Sequence, residues 1–208
     1  MKIKIISFYS DIEGTTYYSD HAKRLKQECE SLNIPHDIRE KESLGSYQAN
    51  CLSKPAYILE RLEEYNEPLV WMDIDSRIHK TLDVFDTFDE VFATANGEIS
   101  GMKASPLYFG NTSEAKRFIE TWIHLGNDII ENNKGVFDHE PLFALIPAFA
   151  NNMNIKFVGP DYCVWPGHTN ENTYITMGLA DVESKKESLR KLGMDEEMIE
   201  WQSTGDKI

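Results

Sequence analysis

The stretch that decides the fold is Pro68-Leu69-Val70-Trp71-Met72-Asp73-Ile74-Asp75, an apolar run that restarts after a proline and ends in two acids. Its length and composition are those of a buried strand. In a strand, side chains at i and i+2 share a face, so Asp73 and Asp75 are expected to project together at the strand's C-terminal end. Open α/β sheets bind their ligands there. Two adjacent carboxylates repel unless a cation lies between them or one keeps a proton. Oxygen donors suit a hard ion such as Mg²⁺ or Mn²⁺, which completes its shell with water and phosphate oxygens. The competing interpretation is two solvated aspartates in a turn.

Outward from this strand, elements alternate. Lys2–Ser10 is expected to be a strand, Asp20 to Leu32 a helix, and His36–Arg39 a second strand. A loop over Glu42–Ser53 leads to a helix opened by Pro55. Downstream, Glu90–Ala95, Leu107–Gly110 and Asn154–Val158 read as strands. Asn111-Thr112-Ser113-Glu114 carries a capping-box pattern before a helix whose stripe is Phe118, Ile119 and Trp122, and Pro141 opens another over Leu142–Phe149. This alternation specifies an α/β fold with a largely parallel sheet. Residues 1–180 form one domain, and 181–208 read as a charged helical tail packed on it.

Lys54 stands at a helix start in Asn50-Cys51-Leu52-Ser53-Lys54-Pro55, where free N–H groups and the helix dipole attract anions. With the acidic pair it makes a diphosphate cradle; otherwise it is a surface lysine. The chain has 208 residues with 21 Lys+Arg against 35 Asp+Glu, a net charge of −14. That excess excludes a duplex nucleic-acid binder, which needs a basic stripe. Three scattered cysteines (Cys29, Cys51, Cys163) form no disulfide or zinc framework, and no stretch suggests a signal peptide or membrane span, so a cytoplasmic protein is expected.

The run from Leu44 to Leu59 followed by Pro68–Asp75 resembles the small GT-A-type nucleotide-sugar glycosyltransferases of bacteria and phages. Ser7-Phe8-Tyr9, Tyr17-Tyr18, Ser100-Gly101 and Tyr108-Phe109-Gly110-Asn111-Thr112 add to the likeness, which covers about residues 4 to 165. The resemblance implies a GT-A Rossmann-like fold, a mostly parallel mixed sheet flanked by helices. It implies transfer of a sugar from a nucleotide-diphosphate donor, UDP-sugar first, to a glycan, protein or small-molecule acceptor, with Mn²⁺ or Mg²⁺ as cofactor. By position, Asp73 and Asp75 would hold the metal and Lys54 would approach the phosphates. Phe8, Tyr9 and Ser10 would lie against base and ribose, and Ser100 and Gly101 would line the acceptor side.

Phe137-Asp138-His139-Glu140-Pro141-Leu142 has no glutamine where the family often carries one. The catalytic carboxylate is therefore open between Asp138 and Glu140, as is the stereochemical outcome. His168, in Trp165-Pro166-Gly167-His168, falls where many such enzymes supply a third metal ligand, and it equally suits a water-facing loop. Two rivals stand beside this. Asp11-Ile12-Glu13-Gly14-Thr15-Thr16 looks like the first motif of haloacid dehalogenase-like phosphatases, with Asp11 as nucleophile and Glu13 as acid/base. A GT-A-like domain that binds nucleotide without turnover is the other.

Overall fold

The computed structural model describes residues 2–11, 15–97, 101–132, 134–178, and 186, 187, 190, 191, 193, 195, 196 and 199. The chain begins β1 (Lys4–Tyr9), α1 (Tyr17–Ser31), β2 (His36–Glu40), α2 (Tyr47–Leu52), α3 (Lys54–Tyr65) and β3 (Leu69–Trp71). A short β4 (Arg77–Ile78) and a 3₁₀ turn (Asp83–Thr87) lead to β5 (Phe92–Gly97), β6 (Gly101–Phe109), α4 (Ser113–Glu131) and α5 (His139–Phe149). Then come β7 (Ile155–Val158), a 3₁₀ turn at Pro160–Tyr162, and β8 (Ile175–Thr176), which pairs with β4.

The main sheet has the order β2-β1-β3-β6-β5-β7. β1 is parallel to β2 and β3, β6 is antiparallel to β3 and β5, and β7 is parallel to β5. Five strands therefore run one way and β6 runs against them, so the α/β class with a mostly parallel mixed sheet holds.

Alternate side chains of each central strand feed two cores, as the period-2 pleat requires. On one face Ile5, Val70 and Met72 meet Ala22, Leu25 and Cys29 of α1 and Phe85. On the other, Ile6, Leu69 and Trp71 meet Ile58 and Leu62 of α3, Phe118, Ile119 and Trp122 of α4, and Leu142 of α5. The crossover from β1 to β2 runs through α1 on the first face, and that from β2 to β3 through α3 on the second. Strand order thus reverses about β1, opening a crevice beyond the C-terminal ends of β1 and β3.

Three expectations shift. The Glu42–Ser53 loop contains α2, started by Ser46, whose hydroxyl accepts from the Ala49 N–H at 3.1 Å. The antiparallel β6 is longer than Leu107–Gly110 and reaches back to Gly101. β3 ends at Trp71 instead of continuing to Ile74. Met72 N–H makes the last bond to the sheet, to Ile6 at 3.1 Å, and the Asp73 N–H turns to the Ser105 hydroxyl at 2.9 Å. The tail beyond residue 180 lies almost wholly outside the described residues; Ile199 is buried against Phe137.

Candidate functional site

A cavity of about 420 Å³ occupies the crevice, within the roughly 300–1,000 Å³ typical of small-molecule sites. Phe8, Tyr9 and Ser10 at the end of β1 line it, with Lys54, Asp73, Asp75 and Asp138. The structure thus gathers seven of the expected site residues from four segments.

Asp73 and Asp75 come together through a turn rather than a strand pleat. The Ser76 N–H donates to the Asp73 carbonyl at 3.0 Å, curling the chain immediately after β3. The Trp71 indole N–H donates to the Asp73 carboxylate at 2.8 Å, fixing its rotamer. Burial, and then the charge of Asp73, push the Asp75 carboxyl up to about 7.

Lys54 is the first residue of α3, with Pro55 in the favoured first-turn position. Its Nζ lies 2.9 Å from Asp73 and 2.5 Å from Asp138. The side chains of Lys54 and Asp138 are 7% and 9% exposed, so this pair is desolvated. Burial alone would lower the Lys54 ammonium, but Asp138 and Asp73 outweigh it and hold the group above its ordinary value.

Asp138 sits at the N-cap position of α5, where its side chain makes no cap hydrogen bond, and the segment that carries it is braced by its neighbours. The buried Gln48 amide donates to the Lys134 and Val136 carbonyls at 2.6 and 2.7 Å. The Trp122 indole donates to the Asp138 carbonyl at 3.0 Å. Glu140, in the first turn of α5, accepts from the Phe137 N–H just before the helix at 2.8 Å. The N-terminal residues of α3 and α5, Lys54 and His139, both border the cavity, so two helix dipoles present their positive ends to it.

Other expected residues lie elsewhere. Glu140 is exposed and outside the lining, occupied with the Phe137 N–H and with His139 at 3.3 Å. His168 is exposed in a turn whose N–H returns to the Trp165 carbonyl at 3.0 Å. Gly101 opens β6, where the lining starts at Met102, and Ser100 lies outside the described residues. Asp11 does not line the cavity; its Oδ1 accepts from the Tyr18 and Ser19 N–H groups at 2.9 Å each, capping α1 in place of a nucleophile's exposed setting. Glu13 lies outside the described residues.

Among the described residues no group of three His, Cys, Asp or Glu side chains is gathered to hold a metal. Two carboxylates meet what Mg²⁺ or Mn²⁺ asks of a protein when substrate phosphates supply the rest. The Asp75 carboxyl, raised first by burial and then by the Asp73 charge, would be favoured in its charged form by such an ion.

Several lining residues carried no sequence signal. Ser105 holds the Asp73 backbone, and Lys103, Trp165, Met177 and Gly178 also line the cavity. Gly178 needs its missing side chain: a β-carbon there would overlap the Asp75 carboxyl group. Among the described residues no helix is long and apolar enough to cross a membrane.

No protein-family model matches the sequence, and neither does any curated protein. Solved structures do match. A glycosyltransferase involved in the glycosylation of the major capsid of PBCV-1 is similar over 94% of this chain and 100% of that one, with 15% identity and a TM-score of 0.67. The glycosyltransferase GlyE of Streptococcus pneumoniae TIGR4 is similar over 98% of this chain with 13% identity and a TM-score of 0.56; its apo form matches over 99% at the same values. This chain spans 64% of GlyE's length. At these identities the likeness is one of fold, and the fold is one that glycosyltransferases use.

Proposed function

We propose that the protein is a metal-dependent glycosyltransferase of the GT-A type, moving a sugar from a nucleotide-diphosphate donor, UDP-sugar first, to a hydroxyl acceptor. The observation that carries this is the Lys54–Asp73–Asp138 ion-pair set with Asp75, set in a cavity at the switch point of a glycosyltransferase fold. Phe8, Tyr9 and Ser10 border the base and ribose. Asp73 and Asp75 are the residues that would hold Mn²⁺ or Mg²⁺, and the ion would offset charge growing on the departing diphosphate.

Lys54 adds a preorganised ammonium beside that diphosphate, in a desolvated setting where it acts strongly. Asp138 is the carboxylate in place to accept the acceptor hydroxyl's proton as the new bond to the anomeric carbon forms and the bond to phosphate breaks. Glu140, committed to the Phe137 N–H, is the weaker candidate. The acceptor class spans glycans, proteins and small molecules.

Thermal unfolding with UDP is the direct test. Stabilisation that needs Mn²⁺ or Mg²⁺ and vanishes in Asp75→Asn supports the assignment, whereas metal-independent binding that survives Asp75→Asn overturns it. One observation favours a second reading, nucleotide binding without turnover: the Asp138 carboxylate already sits 2.5 Å from Lys54. Donor binding with neither hydrolysis nor transfer across a broad acceptor panel would favour it.

A further inference from the structure

The acidic turn after β3 is held from outside the cavity by a side chain of α1. Arg24 Nη2 donates to the Asp75 carbonyl at 3.0 Å and to the Ser76 carbonyl at 3.2 Å. Asp75 and Ser76 line the cavity, and Arg24 does not. A guanidinium that bonds two successive carbonyls is a charged donor of fixed geometry, and it holds them more firmly than a neutral group would.

Spacing along α1 builds this hold. Ala22, Leu25 and Cys29 bury one stripe of the helix in the core. Arg24 and Glu28, four residues apart, share a helix face, with Arg24 Nε 3.7 Å from the Glu28 carboxylate. Glu28 in turn accepts from the Ile78 N–H at 2.8 Å and from Arg77 Nε at 3.1 Å. The helix thus meets the carbonyls at 75 and 76 with a cation and the N–H at 78 with an anion. Both ends of a segment that has left the main sheet are pinned. At its own start α1 is tied to the end of β1 through Asp11, which accepts from the Tyr18 and Ser19 N–H groups.

The surroundings of Asp75 show what the hold is for. Its carboxyl group packs directly on Gly178, where even a β-carbon would overlap it, so a backbone shift at 75 displaces the carboxyl from its place. The Arg24 charge acts there as well: burial and then Asp73 push the Asp75 carboxyl up, and Arg24 is among the charges that draw it back. We propose that Arg24 is a positioning residue for the metal, holding the Asp75 and Ser76 carbonyls so that the Asp75 carboxylate stays beside Asp73 for a shared divalent ion. This rests on the reading above that the acidic pair takes Mn²⁺ or Mg²⁺. Groups that orient metal ligands from behind set metal affinity by roughly ten- to hundredfold. A brace that served stability alone would not single out the metal.

Calorimetry with UDP across a series of Mn²⁺ concentrations reads the metal requirement without any turnover. Arg24→Met is expected to need roughly ten- to hundredfold more Mn²⁺ than wild type to reach the same UDP affinity, and excess Mn²⁺ should restore that affinity. Arg24→Lys, which keeps a charged donor, should recover part of the shift. Asp11→Ala, which loosens the start of the same helix without touching the turn, should keep the wild-type requirement. If circular dichroism shows that Arg24→Met does not fold, Arg24→Gln, an uncharged donor, carries the same comparison with a shift in the same direction. A wild-type Mn²⁺ requirement in the Arg24 variant overturns the proposal. So does an equal shift in Asp11→Ala, which would reduce Arg24 to general bracing of α1, and so does a loss of UDP affinity that excess Mn²⁺ leaves in place. Wild-type protein that binds UDP without metal, or not at all, overturns the metal-dependent reading itself, a result visible before any variant is compared.

Discussion

Gly178 packs against Asp75 so closely that a β-carbon at 178 would overlap the carboxyl carbon. The segment after β8 therefore presses on the acidic turn after β3, and the contact exists only because residue 178 has no side chain. Gly178→Ala is expected to swing Asp75 aside. Metal-dependent UDP affinity should fall by about tenfold or more, a factor that corresponds to roughly 1.4 kcal/mol, while circular dichroism reports an intact fold. Unchanged affinity would show that Asp75's observed position is not needed.

Lys54 and Asp138 form a desolvated pair, and breaking such a pair from one side leaves a bare buried charge. Lys54→Met is expected to cost about 3–5 kcal/mol in urea denaturation. Asp138→Asn should cost less, because Asp73 still faces the ammonium. The double variant should be more stable than Lys54→Met alone, and simple additivity of the two losses would refute the coupling.

The Asp75 carboxyl, raised to about 7 from 3.8, gives the protein a pH signature. Between those values the folded, metal-free protein holds a proton that the unfolded chain has released. Its stability must therefore fall as pH rises through that window and level off above it. Asp75→Asn should stabilise the metal-free protein at pH 8 and change it little at pH 5. Equal effects at both pH values would contradict the burial assigned to this group.

Trp122 does not itself line the cavity, yet its indole bonds the carbonyl of Asp138, which does, at 3.0 Å. Trp122→Phe should cost about 1–3 kcal/mol, from the orphaned carbonyl and lost packing. In a transfer assay kcat should drop while UDP affinity holds, because Asp138 shifts and Asp73 does not. A loss in UDP affinity equal to that in kcat would point to general loosening instead.

Asp11 accepts two N–H bonds from the first turn of α1, whose own cap residue, Thr16, makes no side-chain cap. Asp11→Ala should destabilise by about 0.5–2 kcal/mol and leave UDP binding intact. Hydrolysis of p-nitrophenyl phosphate that is abolished by Asp11→Asn would revive the phosphatase reading.

Much of this molecule is written locally. The α/β class, the cores of β1, β3 and α4, the helix start at Lys54 and the pairing of Asp73 with Asp75 follow from hydrophobic period, proline position and unbalanced charge, all readable within a few residues, whereas Asp138 entered only through the family resemblance. Other features depend on partners distant in the chain. β3 looked longer than it is because Met72 and Ile74 are apolar for packing, while the Asp73 N–H is claimed by Ser105 of another strand. Glu140 sits next to Asp138 in sequence, but helix phase turns it back to the Phe137 N–H, and His168 ends in an exposed turn.

The sequence by itself determined where most strands of the main sheet and the long helices lie and that acids gather at the end of a buried strand, because those properties are local. Only the tertiary structure decided that Lys54 bridges Asp73 and Asp138 and that Gly178 must lack a side chain. Each of those depends on distances between segments far apart in the chain, set by the order in which six strands meet in one sheet.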